Sequence, residues 1–130
     1  MKNELTKLVE ETFGKIPLPM SIRVRESEEV HGDPKDSYFI QVSIGSKEFK
    51  PDCSFFDMWY NRGENRFEHG YLKLKEHLQG QGYGRELAEA REELARKLGC
   101  RRIRINLNNN QSFWEYMGFK SNGQYWEKEL

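Results

Sequence analysis

The stretch that decides the fold is LKLKEHLQGQGYG, residues 72–84. It begins with leucines that alternate with lysines, as in a strand, and passes through a short polar turn into three closely spaced glycines. A helical pattern, GRELAEAREELARKL, follows at residues 84–98, and Gly99 is a residue typical of helix ends. A strand, a glycine-rich turn and a helix therefore follow one another directly.

Anion binding would give these glycines a function. Glycines at the start of a helix reduce its stability unless the backbone must turn sharply or approach a ligand closely. The N–H groups of a first helical turn have no partner within the helix, and the helix dipole adds partial positive charge. Glycine lets a pyrophosphate reach those groups, and Arg85 adds a charge beside them. By itself, however, the stretch fits an ordinary glycine-rich turn equally well.

Two common phosphate-binding motifs do not fit this stretch. A dinucleotide site needs GxGxxG in a parallel βαβ unit, with an acidic residue at the end of the second strand. Here the spacing is GxGxG, and the next strand-like run, RRIRINL, is followed by asparagines at 108–110. A Walker loop is excluded because GK[ST] does not follow the glycines.

The patterns on either side predict one α+β domain. Upstream, a helix at 2–13 precedes four strand-like runs that look antiparallel; downstream, a strand, a short helix and a closing strand follow the long helix. The runs are SIRVRE, SYFIQVSIG, CSFFDMWYN and RFEHGYLKLK upstream, and RRIRINL, SFWEYM and QYWEKEL downstream. We therefore expect a mixed, mostly antiparallel central sheet with helices on both faces, in a single domain spanning 1–130.

Composition argues against several functional classes. The chain has 21 basic and 21 acidic side chains, so it offers no strong field for nucleic acid or an anionic membrane. Its cysteines, Cys53 and Cys100, and its three histidines are scattered without metal-ligand spacing. The N-terminal stretch is charged and amphipathic, unlike a signal peptide, and no apolar run reaches membrane-spanning length. We expect a metal-free, cytoplasmic protein.

Three features in the right order make the sequence resemble the GNAT superfamily of N-acetyltransferases. QGQGYG at 79–84 is similar to the family's [QR]-x-x-G-x-[GA] coenzyme A loop, which lies between a strand and a helix. The following helix and RRIRINL are similar to the family's next helix and strand, and FWEYMGF at 113–119 is similar to its FYxxxGF segment. Together these features cover residues 66–120. A short acidic loop at 27–36 stands where the family carries a helix pair.

The resemblance implies acetyl-coenzyme A as co-substrate. The backbone of Gly80 through Gly84 would hold the pyrophosphate, and the backbone of Leu72 and Leu74 would pair with the pantetheine arm like an added strand. A strand N–H would polarise the thioester carbonyl as negative charge develops. The residues so implied in coenzyme A binding are Leu72, Lys73, Leu74, Gln79, Gly80, Gln81, Gly82, Tyr83, Gly84, Arg85, Asn109 and Trp114.

Two titratable residues are candidates for the catalytic base. Glu68 lies eleven residues before Gln79, the spacing at which histone-acetylating members of the family carry their basic glutamate. It shares strand parity with Leu72 and Leu74, so we expect these three side chains on one face. His69 is the second candidate and would need little tuning to act near neutral pH, although its opposite parity favours a structural or surface role. The alternative is that Glu68 is an ordinary solvated carboxylate. A chain of water molecules would then take the proton, as in many relatives.

Trp114 departs from the family's pattern. Many members carry a tyrosine there that protonates the departing thiolate, and an indole cannot act as an acid in that range. Tyr116 is about 200° further around the helix, so it cannot simply replace that tyrosine. We expect Trp114 to pack in the core and to form a wall of the coenzyme A site.

These features predict an N-acetyltransferase that transfers the acetyl group of acetyl-coenzyme A to an amine by direct attack in a ternary complex. The expected acceptor is a small-molecule or peptide amine, and the dimers common in the family leave a homodimer open. The acidic loop would steer cationic amines if it flanked the cleft, although a solvated loop is the simpler interpretation. The alternative, which the missing tyrosine leaves open, is a non-catalytic acyl-coenzyme A-binding or interaction domain of the same fold.

Overall fold

The computed structural model describes residues 1–26, 36–46, 54–106 and 111–130, and of His69 it describes the backbone only. The elements found there are α1 Lys2–Phe13, β1 Met20–Glu26, β2 Ser37–Ile44, β3 Ser54–Asn61, β4 Arg66–Lys73, a 3-10 turn Glu76–Leu78, α2 Tyr83–Lys97, β5 Arg102–Asn106, α3 Gln111–Tyr116, β6 Lys120–Ser121 and β7 Tyr125–Glu129. The sequence patterns predicted all of these except the 3-10 turn and the two-residue β6.

One sheet contains all seven strands, in the order β1-β2-β3-β4-β5-β7-β6. Strands β4 and β5 are parallel, and α2 connects them. The other neighbouring pairs are antiparallel. The predicted α+β class, with a mixed and mostly antiparallel sheet, is confirmed.

Helices α1 and α2 are amphipathic, and their apolar sides enter the core. In α1, Leu5, Val9 and Phe13 recur at helical spacing and are fully buried, as is Leu87 of α2. Burying a side chain of this size contributes roughly 1.5–3 kcal/mol to stability. The ring of Phe13 meets Phe56 of β3 edge-on, with 6.3 Å between the ring centroids.

The contacts found between the described helices and the sheet are with one side of it, which we call the helix face. Phe13 of α1 and Arg91 of α2 both contact Phe56, and Trp114 of α3 lies against Arg91. The expectation of helices on both faces is therefore met on one face only in these parts of the chain. Most of the acidic loop, residues 27–35, lies outside the described residues.

The opposite side of the sheet, which we call the second face, carries polar and aromatic side chains. On β3 it consists of Phe55, Asp57, Trp59 and Asn61, which alternate with the buried residues of the helix face and are themselves half-buried. The indole of Trp59 stacks on Phe39 of β2, with centroids 4.6 Å apart. This face is thus a mixed surface, unlike the apolar side that the helices cover.

Strand β4 contains a bulge that decides which face its residues occupy. Phe56 is opposite Leu72 and Trp59 is opposite Glu68, so three steps along β3 correspond to four along β4. The extra residue falls at 69–70. Because directly opposed residues share a face, Leu72 belongs to the helix face and Glu68 to the second face. The prediction that Glu68 shares the face of the two leucines is wrong, because counting alternate residues fails across a bulge.

Gly70 allows a buried arginine to lie against this bulge. A Cβ at Gly70 would clash with Nη1 of Arg91 and would stand 3.2 Å from Cγ2 of Ile105. The Arg91 guanidinium is fully buried and lies 5.0 Å from the ring centroids of both Phe56 and Trp114. Burial lowers the pKa of Arg91 to about 9. The side chain therefore connects α2, β3 and α3 at the bulge.

Candidate functional site

A pocket of about 590 Å³ opens where the end of β4, the glycine-rich turn and α3 meet. Its lining is Leu72, Leu74, Gln79, Gly80, Gly82, Gly84, Arg85, Phe113 and Tyr116. The first seven of these were named from the sequence, and the structure brings them together. The pocket has apolar walls and a backbone-rich end, which suits a ligand with an uncharged arm and a charged head.

The glycine loop, residues 79–84, has a backbone that few other residues would adopt. Gly80 and Gly82 have φ of +75° and +84°, in the left-handed region. Within the described structure no atom lies within 4 Å of the place where a Cβ would stand on either glycine. Gly82 is also the N-cap of α2, and no side chain caps that helix. No side-chain cap therefore accepts a hydrogen bond from the first N–H groups of α2. These groups directly follow the open space beside Gly80 and Gly82.

Two glutamines hold this loop in shape. Nε2 of Gln79 donates a hydrogen bond to the carbonyl of Leu74 at 2.8 Å, and Nε2 of Gln81 donates to the carbonyl of His77 at 2.7 Å. Their amides therefore satisfy backbone carbonyls next to the turn. The sequence predicted ligand contacts for both residues, and the structure adds this positioning role.

The absence of a side chain at Gly84 leaves space at the base of the pocket. A Cβ there would lie 3.6 Å from Cε1 of Phe113 and 3.9 Å from Cδ2 of Leu72, so a larger side chain would enter the space between α3 and β4. Phe113 forms the wall that was expected of Trp114. Sequence reasoning missed Phe113 because spacing alone does not reveal which side of a six-residue helix meets the pocket.

Arg85 and Tyr116 lie together at the pocket. A hydrogen bond with Tyr116 raises the pKa of Arg85, and its Nε also lies 3.5 Å from Oε1 of Glu89. Tyr116 is 70% exposed, so its ring is accessible to a ligand. From the sequence, Tyr116 was considered only as a substitute for a tyrosine at position 114. Its contact with Arg85 could not be predicted in this way, because Arg85 lies on another helix, α2.

Four residues named from the sequence, Lys73, Gln81, Tyr83 and Trp114, do not line the pocket. Trp114 is 2% exposed and packs in the core, with its ring centroid 5.3 Å from that of Phe119, which confirms its predicted core position. Lys73 is opposite Phe55, so its side chain projects from the second face. Tyr83 is partly buried against the core. Asn109 lies outside the described residues.

Glu68 stands on the second face at the last paired position between β4 and β5, opposite Arg104. Nε of Arg66 donates to its Oε1 at 2.5 Å, and Nδ2 of Asn61 donates to the same oxygen at 3.3 Å. Both donors bind Oε1, and in the described structure no hydrogen bond to Oε2 is found. Among the described residues, the donors that hold the carboxylate in place therefore bind Oε1 alone. The side chain of His69 is not described.

Asp57 is a second carboxylate on this face, and sequence reasoning missed it. It lies opposite Tyr71 of β4 and Gln41 of β2. Burial raises the pKa of Asp57 to about 6, although the charge of Arg25 acts in the opposite direction. The one signal in the sequence is a lone carboxylate in an aromatic strand, FFDMWY.

Some other features bear on chemistry. Burial raises the pKa of the Cys100 thiol to about 11, so this cysteine is an inert core residue. Among the described residues, no group of three or more histidine, cysteine, aspartate or glutamate side chains could hold a metal ion. None of the helices described is long and apolar enough to cross a membrane.

Comparisons with known proteins agree with this geometry. The model of the acetyltransferase (GNAT) family matches residues 22–119. A predicted acetyltransferase from Agrobacterium tumefaciens has a similar structure, with a TM-score of 0.53, 22% identity, and coverage of 79% of this chain and 82% of that one. Nourseothricin acetyltransferase gives a TM-score of 0.53 at 18% identity, covering 85% and 84%. A search of curated proteins found no match. At these identities the structures show a shared fold.

Proposed function

Because the chain belongs to the acetyltransferase (GNAT) family, we propose that it is an acetyl-coenzyme A-dependent N-acetyltransferase. It acts on a small-molecule or peptide amine, which attacks the thioester directly in a ternary complex. The observation that carries this proposal is the pocket, which joins an uncapped helix N-terminus in a glycine loop to the end of strand β4.

The residues present fit acetyl-coenzyme A. Its pyrophosphate needs backbone N–H donors with room beside them, which the glycines at 80 and 82 provide. Arg85 supplies a positive charge at the same end. Among the described residues, pairing between β4 and β5 ends at Glu68, so the backbone of β4 beyond it can pair with the amide-bearing pantetheine arm. Leu72 and Phe113 supply the apolar walls.

Glu68 is the proposed base. The pocket lies on the helix face and Glu68 on the second face, so an amine that approaches from the second face meets the carboxylate before it reaches the thioester. A primary ammonium group must lose a proton before its nitrogen can attack. Oε2 of Glu68 can accept that proton, because Arg66 and Asn61 both bind Oε1. The corrected face of Glu68 therefore supports this role.

The departing thiolate has no acid at position 114, because Trp114 is buried and its indole N–H is not acidic in the required range. This observation favours the second candidate function, a domain that binds acyl-coenzyme A without turning it over. The two candidates share the pocket and differ only in the acetyl-transfer step.

Release of free thiol from acetyl-coenzyme A tests the proposal, with a panel of amines and mass spectrometry of the acetylated product. The matched control is Gly84→Leu, which fills the pocket floor. We expect turnover on at least one amine and none with the control. Binding of acetyl-coenzyme A without turnover on any amine supports the second candidate, whereas absence of binding contradicts both.

A further inference from the structure

The second face has two carboxylates next to each other. Asp57 and Trp59 are two residues apart on β3, and Trp59 is directly opposite Glu68. Asp57 and Glu68 are therefore diagonal neighbours on the same face, on either side of the bulge; diagonal neighbours in a regular antiparallel pair lie about 7–8 Å apart. One carboxylate lies at the end of the β4–β5 pairing and the other lies one strand further from it.

Among the residues that the structure describes, Asp57 has no partner that accounts for its charge. In the described structure no hydrogen bond or ion pair to its carboxylate is found. Arg25, the cation that acts on it, donates instead to Oε1 of Gln41 at 2.8 Å, and its guanidinium lies 5.5 Å from the ring centroid of Phe39. A half-buried carboxylate without a donor is unfavourable, so the position suits a cation that arrives from outside.

The groups around Asp57 also suit an organic cation. The phenol of Tyr71 lies directly across on β4 and is 41% exposed. The indole of Trp59 is the next residue of the same face along β3. Aromatic rings and a carboxylate together bind alkylammonium groups through cation–π contact and charge-assisted hydrogen bonds.

We propose that Asp57 binds a second ammonium group of the acceptor, so that diamines and longer polycations are preferred over monoamines. The reacting amine lies at Glu68, and the other amine lies at Asp57. This inference rests on the proposed function, since it names the acceptor class of the same site.

The test compares two acceptors of equal chain length, cadaverine and pentylamine, by their kcat/KM values with acetyl-coenzyme A. For the wild-type protein we expect a ratio of about tenfold or more in favour of cadaverine, the scale of one hydrogen bond to a charged group. Asp57→Asn should reduce the ratio to roughly the twofold that two equivalent amines provide. The control is Asp36→Asn, an exposed carboxylate that faces Arg62, and it should keep the wild-type ratio.

A second measurement, on the wild-type protein, tests the role of Asp57 even if the Asp57→Asn variant does not fold. In the wild-type protein the ratio should fall as the pH is lowered from about 7.5 to about 5, because Asp57 becomes protonated. Among the side chains that the structure describes, the charged and titratable groups that face Asp57 are Arg23, Arg25, Glu68, Tyr71 and Lys73. Both amines use the same base and the same coenzyme A site, so pH effects on those steps cancel from the ratio.

The outcomes separate the two proposals. Equal use of both amines, or a ratio that neither the substitution nor pH changes, overturns the role of Asp57 and leaves the proposed function intact. An equal loss of rate on both amines in Asp57→Asn shows a purely structural residue and overturns the role as well. Absence of turnover on either amine or any other overturns the proposed function, and this inference with it.

Discussion

Leu72 and Glu68 lie four residues apart on one strand but on opposite faces of the sheet. Leu72 lines the pocket, whereas Glu68 projects from the other side, at the point where β4 stops pairing with β5. A single extra residue in β4 produces this arrangement. In the proposed reaction acetyl-coenzyme A therefore binds on one side of the sheet, and the acceptor amine approaches its thioester from the other side. Neither substrate blocks the other.

The first prediction concerns the base. Glu68→Gln should lower kcat/KM by roughly a hundredfold, the usual scale for loss of a general base. The defect should shrink at high pH, where the amine loses its proton without help. Affinity for coenzyme A should stay unchanged, because the carboxylate lies on the face away from the pocket. Initial rates over a pH series, together with calorimetric binding of coenzyme A, measure both effects.

The matched control is Glu64→Gln. Glu64 lies 3.8 Å from the same arginine, Arg66, but is 64% exposed and far more solvated. It should keep the wild-type rate. If Glu68→Gln also keeps the wild-type rate and pH profile, an ordered water takes the proton instead.

The second prediction concerns the glycine loop. Gly82→Asp places a side chain and a negative charge where the pyrophosphate is proposed to bind, so coenzyme A binding should be lost. Gly99→Asp is the control, because Gly99 also has a positive φ, +78°, and open space beside it, but lies at the other end of α2. Both variants should be destabilised by about 1–2 kcal/mol from backbone strain. Unchanged affinity in a folded Gly82→Asp protein contradicts the pyrophosphate assignment.

The third prediction separates two aromatic residues of α3. Trp114→Ala should reduce the free energy of unfolding by about 3–5 kcal/mol, because it leaves a cavity around Arg91. Tyr116→Ala should change it by no more than about 0.5 kcal/mol, because the side chain is largely exposed. Urea unfolding of both variants measures the difference. Similar values for the two would show that Trp114 is not a core residue.

The sequence predicted the elements and the glycine loop well, because both depend on local patterns. The alternation of β3 and the helical spacing of α2 are visible in the residues themselves. The bulge in β4 was not predictable in this way, since a single extra residue leaves the apolar pattern of the strand almost unchanged. Gly70 was the one residue within the strand that indicated the bulge. Glycine is needed there because the side chain of Arg91, on a helix distant in sequence, occupies the space of a Cβ.

The environment of Asp57 depends even more on the tertiary structure. Its neighbours Gln41 and Tyr71 come from β2 and β4, and Arg25 comes from β1. An environment that residues from three other strands create around a carboxylate has no signature within any one strand. The sequence therefore located the pocket but not the full set of carboxylates on the second face.

The last prediction follows from the raised pKa of Asp57. Burial brings this pKa to about 6, above its ordinary value of 3.8, so between these two pH values the folded state binds more protons than the unfolded state. The contribution of Asp57 to stability is therefore fully present below pH 3.8 and is lost as the pH rises through 6. Above that pH, its half-buried charge opposes folding.

Asp57→Asn removes this charge while keeping the size of the side chain. It should raise the free energy of unfolding relative to wild type at about pH 7.5, and this gain should disappear at about pH 4, where Asp57 is neutral in the folded state. Urea unfolding of both proteins at the two pH values measures the difference, and Asp36→Asn, whose carboxylate is exposed, should show no such gain. A gain in stability joined to a loss of diamine preference would show that the charge is kept for the acceptor, since functional sites often reduce stability. A loss of stability at neutral pH would instead show that Asp57 and Arg25 attract each other enough to stabilise the fold.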